Sequence, residues 1–282
     1  MKIFLSAFIV LFAVFFISSG TLGDDIRFIL PYGHPFKGNK LSSDFEYKIT
    51  LKFGESVEII SVNAEDGNKW YKCVKNGFTF FLPEAFIIEN KNTTLFDENS
   101  PRVYVEIDLA FPIPLDYRPD DLVSVPMDWR AVGYEDRDLM LREEAMQMFG
   151  RLIEDARKDR VIIRILSAYR DALYQSYLYL QSIRRWGIFQ NRVAKPGFSE
   201  HQLGIACDLT TDEIEYKLSK RFDHTRAYQW LMENIHRYNI ALSYPKYKEK
   251  ITGFMYEPWH FRYHGNGLWH DLKKTWEPFY SR

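Results

Sequence analysis

Cysteine is nearly absent from this chain of 282 residues: only Cys73 and Cys207 occur. Two cysteines exclude a disulfide framework, and they fall in different regions of the sequence, so two buried free thiols are expected rather than a bridge. Charge of either sign is also unremarkable. Thirty-seven Lys and Arg balance 38 Asp and Glu for a formal charge of -1, and no basic block stands out. That argues against nucleic acid as a partner. No internal repeat and no regular βαβ alternation are visible. Charged residues are missing altogether between Lys2 and Asp24, and no cysteine lies near the end of that stretch, which excludes a lipoprotein anchor.

The uncharged stretch has a short positive start, an apolar run from Ile3 to Ile17, and small residues before Asp24-Asp25. This order describes a secretory signal peptide over residues 1–23. The same residues 3–23 also approach the roughly 20 apolar positions that a membrane-spanning helix needs, so retention as an anchor is the alternative. Either way the chain is expected to be exported, to a periplasmic or cell-envelope location. Hydrophobic residues make up 46% and charged residues 27%, enough to build a core and too apolar for disorder. Aromatics reach 17%, which suits a peptide or sugar groove and suits an ordinary core equally well.

Residues 26–90 have strand character. Tyr47–Phe53, Val57–Val62, Trp70–Val74 and Phe78–Leu82 alternate, with turns at Gly54, Asp66-Gly67-Asn68 and Lys75-Asn76-Gly77. Short strands at this spacing predict a small β-barrel, and the stretch resembles bacterial SH3-like domains. Attachment to cell-wall peptide and simple packing on a neighbour are both open for it. Residues 90–101 are polar and read as a linker, with a glycosylation-type triplet at Asn92. Residues 100–282 mix helices and strands, giving an α+β class. Apolar positions from Leu141 to Ala156 recur at helical spacing. Val161–Leu166 reads as a strand. Asp171 caps a helix to Trp186 with Gly187 beyond its end, and Thr225 caps another.

Two segments carry chemistry. In Ser199-Glu200-His201-Gln202-Leu203-Gly204-Ile205-Ala206-Cys207-Asp208, Gly204 permits a tight turn or close backbone approach. A strand from Ile205 puts Ala206 and Asp208 on one face and Cys207 on the other. In Tyr256-Glu257-Pro258-Trp259-His260-Phe261-Arg262-Tyr263, Pro258 opposes helix. An extended run then turns Trp259, Phe261 and Tyr263 one way and His260 and Arg262 the other. Zinc takes imidazole and carboxylate ligands, and catalytic sites use three of them and leave a position for water. Glu257 is then placed to take that water's proton and pass it to a leaving amine. Each segment alone is more readily explained by packing than by chemistry.

In combination the segments resemble the VanY-type D-alanyl-D-alanine carboxypeptidases, within the wider group of lysostaphin-type and hedgehog-like zinc folds. The pattern Ser-x-His-x-x-Gly-x-Ala-x-Asp is complete in Ser199–Asp208, and Glu257-Pro258-Trp259-His260 matches the second motif. Leu115–Val123, Ser167-Ala168-Tyr169-Arg170 with Gln175, and Ile251-Thr252-Gly253 are similar to further segments of the family in the same order. The resemblance implies zinc at His201, Asp208 and His260, with Glu257 as the base. It implies that Arg170, Gln175 and Ser199 receive the substrate's C-terminal carboxylate or the developing oxyanion, in a cleft lined by Tyr169, Trp259 and Arg170. The implied substrate is a peptidoglycan stem peptide losing its terminal D-Ala, with DD- and LD-specificity both open. A cross-bridge endopeptidase and a non-catalytic wall-binding protein are the alternatives. Two positions depart from the pattern: Ala168 stands where Gly is usual, and His264 where an apolar residue is. His264 and Cys207 are set aside as ligands, and His34, His224, His236 and His270 are expected to be structural or at the surface. Nothing in the sequence fixes an oligomeric state.

Overall fold

In a computed structural model, residues 22–30, 32–33, 51–65, 68–89 and 112–265 are described. The apolar run before residue 22, Tyr47–Thr50, the Asp66-Gly67 turn, the linker with Asn92, His34 and His270 lie outside them. Among the described residues no helix is long and apolar enough to cross a membrane.

The N-terminal region builds a five-stranded antiparallel sheet. Its strands are β1 (Leu22–Phe28), β4 (Ser56–Glu65), β5 (Asn68–Lys75), β6 (Phe78–Pro83) and β7 (Ile87–Glu89). The small pair β2 (Tyr32–Gly33) and β3 (Leu51–Lys52) lies beside it, and the sheet order is β6-β5-β4-β1-β7. Strand β1 takes up Leu22 and Gly23, so the sheet starts within the segment 1–23. Asn76 (φ 51°) and Gly77 (φ 77°) make the two-residue hairpin between β5 and β6, the left-handed pair that matches the twist of the flanking strands. Alternation buries Val57 and Ile59 on β4, Tyr71 and Cys73 on β5, and Phe80 and Leu82 on β6.

The second region carries the short pair β8 (Leu122–Ser124) and β9 (Met140–Arg142), followed by helix α1 (Glu143–Lys158). Strand β10 (Arg164–Ser167), helix α2 (Ala172–Trp186) and strand β11 (Ala206–Thr210) come next. Helix α3 (Arg226–Asn234), strand β12 (Ile240–Leu242), the single turn α4 (Glu249–Thr252) and strand β13 (His260–Tyr263) complete it. The antiparallel sheet β10-β11-β13-β12 lays one face on α1. Cys207, Leu209 and Phe261 of the sheet share a core with Ala145, Phe149, Leu152 and Ala156 of the helix. Arg164 begins β10, three residues later than the β-branched run suggested, because Val161–Ile163 pair with no strand and leave Ile162 exposed.

Helix α2 starts and stops as its end signals direct. The Asp171 carboxylate accepts from the Tyr174 amide at 2.6 Å, satisfying an N-terminal donor. Gly187 then leaves the helix at φ 85°. A second core runs underneath: Tyr179 and Ile183 of α2 are buried with Ile29, Leu51, Tyr71 and Phe80 of the N-terminal region. The side chain of Lys195 donates to the Glu84 carbonyl at 2.9 Å.

Candidate active site

The sheet face opposite α1 holds the polar residues. Register pairs Asp208 with His260, Cys207 with Phe261 and Ala206 with Arg262. Alternation therefore sends Asp208, His260 and Arg262 to one side, and Cys207 and Phe261 into the core. His201 arrives from the short helical turn Glu200–Leu203. Gly204 ends that turn at φ 70°, where an added Cβ would lie 2.8 Å from Leu122 and 3.1 Å from Arg142. It serves both the turn and a close approach.

His201, Asp208 and His260 converge so that their ligand atoms all lie within 4.8 Å of one another, each residue buried. Asp208 Oδ1 is 3.4 Å from His201 Nε2 and 3.2 Å from His260 Nδ1. His201 Nδ1 meets the Ala168 carbonyl at 2.6 Å, so that nitrogen carries the proton and Nε2 keeps its lone pair. Nε2 has no hydrogen-bond partner among the described residues. Two imidazole lone pairs and a carboxylate oxygen at one point fit zinc. Burial pushes the His201 imidazole down to about 4, with the Arg170 charge adding to it. Burial raises the Asp208 carboxyl, but the two imidazoles outweigh it and hold it well below the usual range.

Two residues of the site, Glu200 and Tyr244, were not singled out in the sequence. Glu200 Oε2 lies 2.8 Å from His260 Nε2 and accepts from Ser243 Oγ at 2.6 Å. Its Oε1 accepts from Arg262 at 2.8 Å. A carboxylate at Nε2 holds the proton there and leaves Nδ1, 3.2 Å from Asp208 Oδ1, to offer its lone pair to a metal, the arrangement by which carboxylates orient metal-binding histidines. Burial disfavours the Glu200 charge, but Arg262, His260 and Ser243 outweigh it and hold its pKa far below the ordinary value. The signal was present in the sequence as Arg262 on the polar face of β13, a buried cation that needs an anion. The ring centroid of Tyr244 lies 4.9 Å from that of His260.

A cleft of about 390 Å³ opens over these groups, with Arg170, Gln175, Ser199, Glu257 and Trp259 in its walls. Burial pushes the Glu257 carboxyl up to about 7, against the lowering influence of His260. A turn rather than an extended run carries Glu257: the His260 amide donates to the Glu257 carbonyl at 3.2 Å, and the strand begins only at His260. Arg170 places Nη1 3.9 Å from Asp208 Oδ2, and its buried Nε has no partner among the described residues. Gln175 donates from Nε2 to the Ala194 carbonyl at 2.7 Å, while its buried Oε1 is unpartnered. The atom it offers is thus an acceptor, which suits a substrate N–H better than a carboxylate. Tyr169 is not in the cleft wall. Its ring instead takes the Arg118 guanidinium at 5.2 Å. Ala168, in the place of the usual Gly, is fully buried without positive φ, so the backbone there does not demand glycine. His264 is buried apart from the cluster, and Cys207 lies in the core with its thiol pushed well up by burial. His224 and His236 are exposed.

Residues 138–266 match the VanY family, D-alanyl-D-alanine carboxypeptidase. The chain is 33% identical over 158 residues to VanXYC of Enterococcus gallinarum, a bifunctional D-Ala-D-Ala dipeptidase and carboxypeptidase, with 55% of this chain and 79% of that protein covered. The chain belongs to the VanY family. It is also 29% identical over 172 residues to YodJ of Bacillus subtilis (strain 168), covering 60% of this chain and 62% of YodJ. Thus just under two thirds of YodJ is spanned. The solved LdcB LD-carboxypeptidase superposes with a TM-score of 0.57 at 28% identity, covering 63% of this chain and 84% of that one. This VanY-family chain therefore has the mixed helix–sheet peptidase fold. The family match begins after the N-terminal sheets.

Proposed function

We propose that the chain is an exported zinc carboxypeptidase that removes the terminal D-Ala from peptidoglycan stem peptides. The observation that carries this reading is the meeting, in one cleft, of the His201–Asp208–His260 cluster, Glu257 and Arg170. When bound, zinc supplies a Lewis acid for the scissile carbonyl and acidifies the attacking water.

The remaining chemistry belongs to side chains. Arg170 holds the substrate's C-terminal carboxylate with a guanidinium whose geometry matches it. Gln175 accepts a substrate N–H through Oε1, Ser199 lies beside them, and Trp259 forms an apolar wall. Glu257, with its carboxyl near 7, takes a proton from water and returns it to the leaving amine nitrogen; a pKa near the working pH suits both halves of that transfer. Residues 1–23 fit an export signal or anchor, and the N-terminal sheets fit an SH3-like unit that keeps the enzyme on its wall substrate.

The test is release of D-Ala, followed by mass, from a pentapeptide stem ending in D-Ala-D-Ala and a tetrapeptide stem ending in one D-Ala. Chelator-sensitive release from the first assigns DD-specificity, and from the second LD-specificity. No chelator-sensitive release from either overturns the reading. Glu257→Gln is expected to lower the rate by roughly 10²- to 10⁴-fold while leaving the protein able to take up zinc.

A further inference from the structure

The cleft does not end at the metal cluster. Gln175, Leu178, Gln181, Ser182, Arg185 and Trp186 all line it, at helical spacing along one face of α2. From Gln175 to Trp186 that wall runs about 16 Å, at roughly 1.5 Å of rise per residue. An extended peptide advances about 3.3 Å per residue, so the wall spans roughly five residues of substrate.

At its far end two guanidinium groups lie over the same ring. Arg192 has its Cζ 4.0 Å from the Trp186 centroid and Arg185 5.0 Å. Neither guanidinium meets a carboxylate among the described residues. Arg185 lies in the last turn of α2, where the helix dipole favours a cation. Arg192 lies beyond the helix and gains nothing from it. Two like charges gathered on one half-exposed indole repel each other, and an anion seated against both would relieve that. Guanidinium forks are built to take a carboxylate, and Trp186 holds these two beside each other in the cleft wall.

The geometry points to an anionic subsite at Arg185, Trp186 and Arg192, which takes a free side-chain or backbone-branch carboxylate of the peptide three to five residues before its C-terminus. This rests on the carboxypeptidase reading, which sets the C-terminus at Arg170 and so orients the peptide along α2. The enzyme is thereby selective for acidic peptides over their amidated counterparts.

The experiment compares two peptides ending in D-Ala-D-Ala that differ only in Glu or Gln at the fourth position from the C-terminus. Binding to the zinc-loaded full chain is measured by calorimetry in 50 mM salt, and D-Ala release is followed in parallel. The Glu peptide is expected to bind about fivefold tighter, the scale of two solvent-exposed ion pairs. The preference should shrink in 0.5 M salt and fall to about one in the double variant Arg185→Gln/Arg192→Gln. Equal binding of the two peptides by the unaltered chain overturns the subsite, as does a preference that survives in the double variant. A preference for Glu without D-Ala release supports the anionic subsite and overturns the carboxypeptidase reading alone.

Discussion

Glu257 and Glu200 show how a half-buried and a buried carboxylate in one site are driven apart. Among the described residues no cation is bonded to Glu257, and burial lifts it to about 7 from an ordinary 4.5. Glu200 is bonded to Arg262, His260 and Ser243 and is held far below. The first can exchange a proton near neutrality, while the second is a fixed charge. For the metal-free protein the Glu257 shift has a definite sign. Below pH 4.5 the group is neutral folded and unfolded; above about 7 it is charged in both, and the folded state bears the cost of burying it. Stability from this group is therefore present below 4.5 and lost as pH rises through 7, a loss of about 3 kcal/mol. Urea unfolding of the metal-free chain and of Glu257→Gln at pH 4.5 and pH 8 should show the variant gaining that much relative to the parent at the higher pH; an unchanged difference would contradict the burial argument. Glu200→Gln removes the charge that orients His260, and zinc affinity by chelator competition should fall roughly 10- to 100-fold. Unchanged affinity would leave Glu200 with a packing role only.

At the scale of elements, the helices were legible because their ends announce themselves. Asp171 and Thr225 each accept from a backbone amide three residues on, and the apolar spacing of α1 is the spacing it buries. Strand ends were less legible. Whether Val161–Ile163 or Trp259 belongs to a strand depends on a partner strand, which local propensity does not report. Gly150 illustrates the same limit. It sits mid-helix in α1, where alanine would ordinarily be better by up to about 1 kcal/mol. Here an added Cβ would fall 2.3 Å from the Trp129 ring, and the indole is held by its N–H to Glu154 at 2.9 Å. Overpacking costs roughly 1–3 kcal/mol, so Gly150→Ala should lower the melting temperature despite its better helix propensity. A raised melting temperature would show that Trp129 moves aside freely.

For the molecule as a whole, α2 has two duties. One face walls the cleft, and the other buries Tyr179 and Ile183 against the N-terminal sheets. The two regions read from strand alternation and a polar linker as separate units thus share a core through this helix. A chain beginning at residue 100 would expose that apolar face. It should melt at lower temperature than the full chain and lose zinc-dependent activity sooner on heating. Equal melting of the shortened and full chains would mean that the second core contributes nothing to the peptidase region.

The sequence by itself determined the residue types of the metal cluster, the alternation that separates Asp208 from Cys207, and the caps of the helices. These are local: each follows from spacing within one segment. It also carried the resemblance that names the family, because His201, Asp208 and Glu257-Pro258-Trp259-His260 keep their order and spacing. Only tertiary structure decided that Glu200 reaches His260 and Arg262 across 60 and 62 positions. It alone left Tyr169 out of the cleft wall, left Gln175 with an acceptor to offer, and set Arg185 and Arg192 over one indole in the wall of the cleft. Such choices depend on which strands and helices meet, and a contact between segments far apart in the chain leaves no periodicity in either of them.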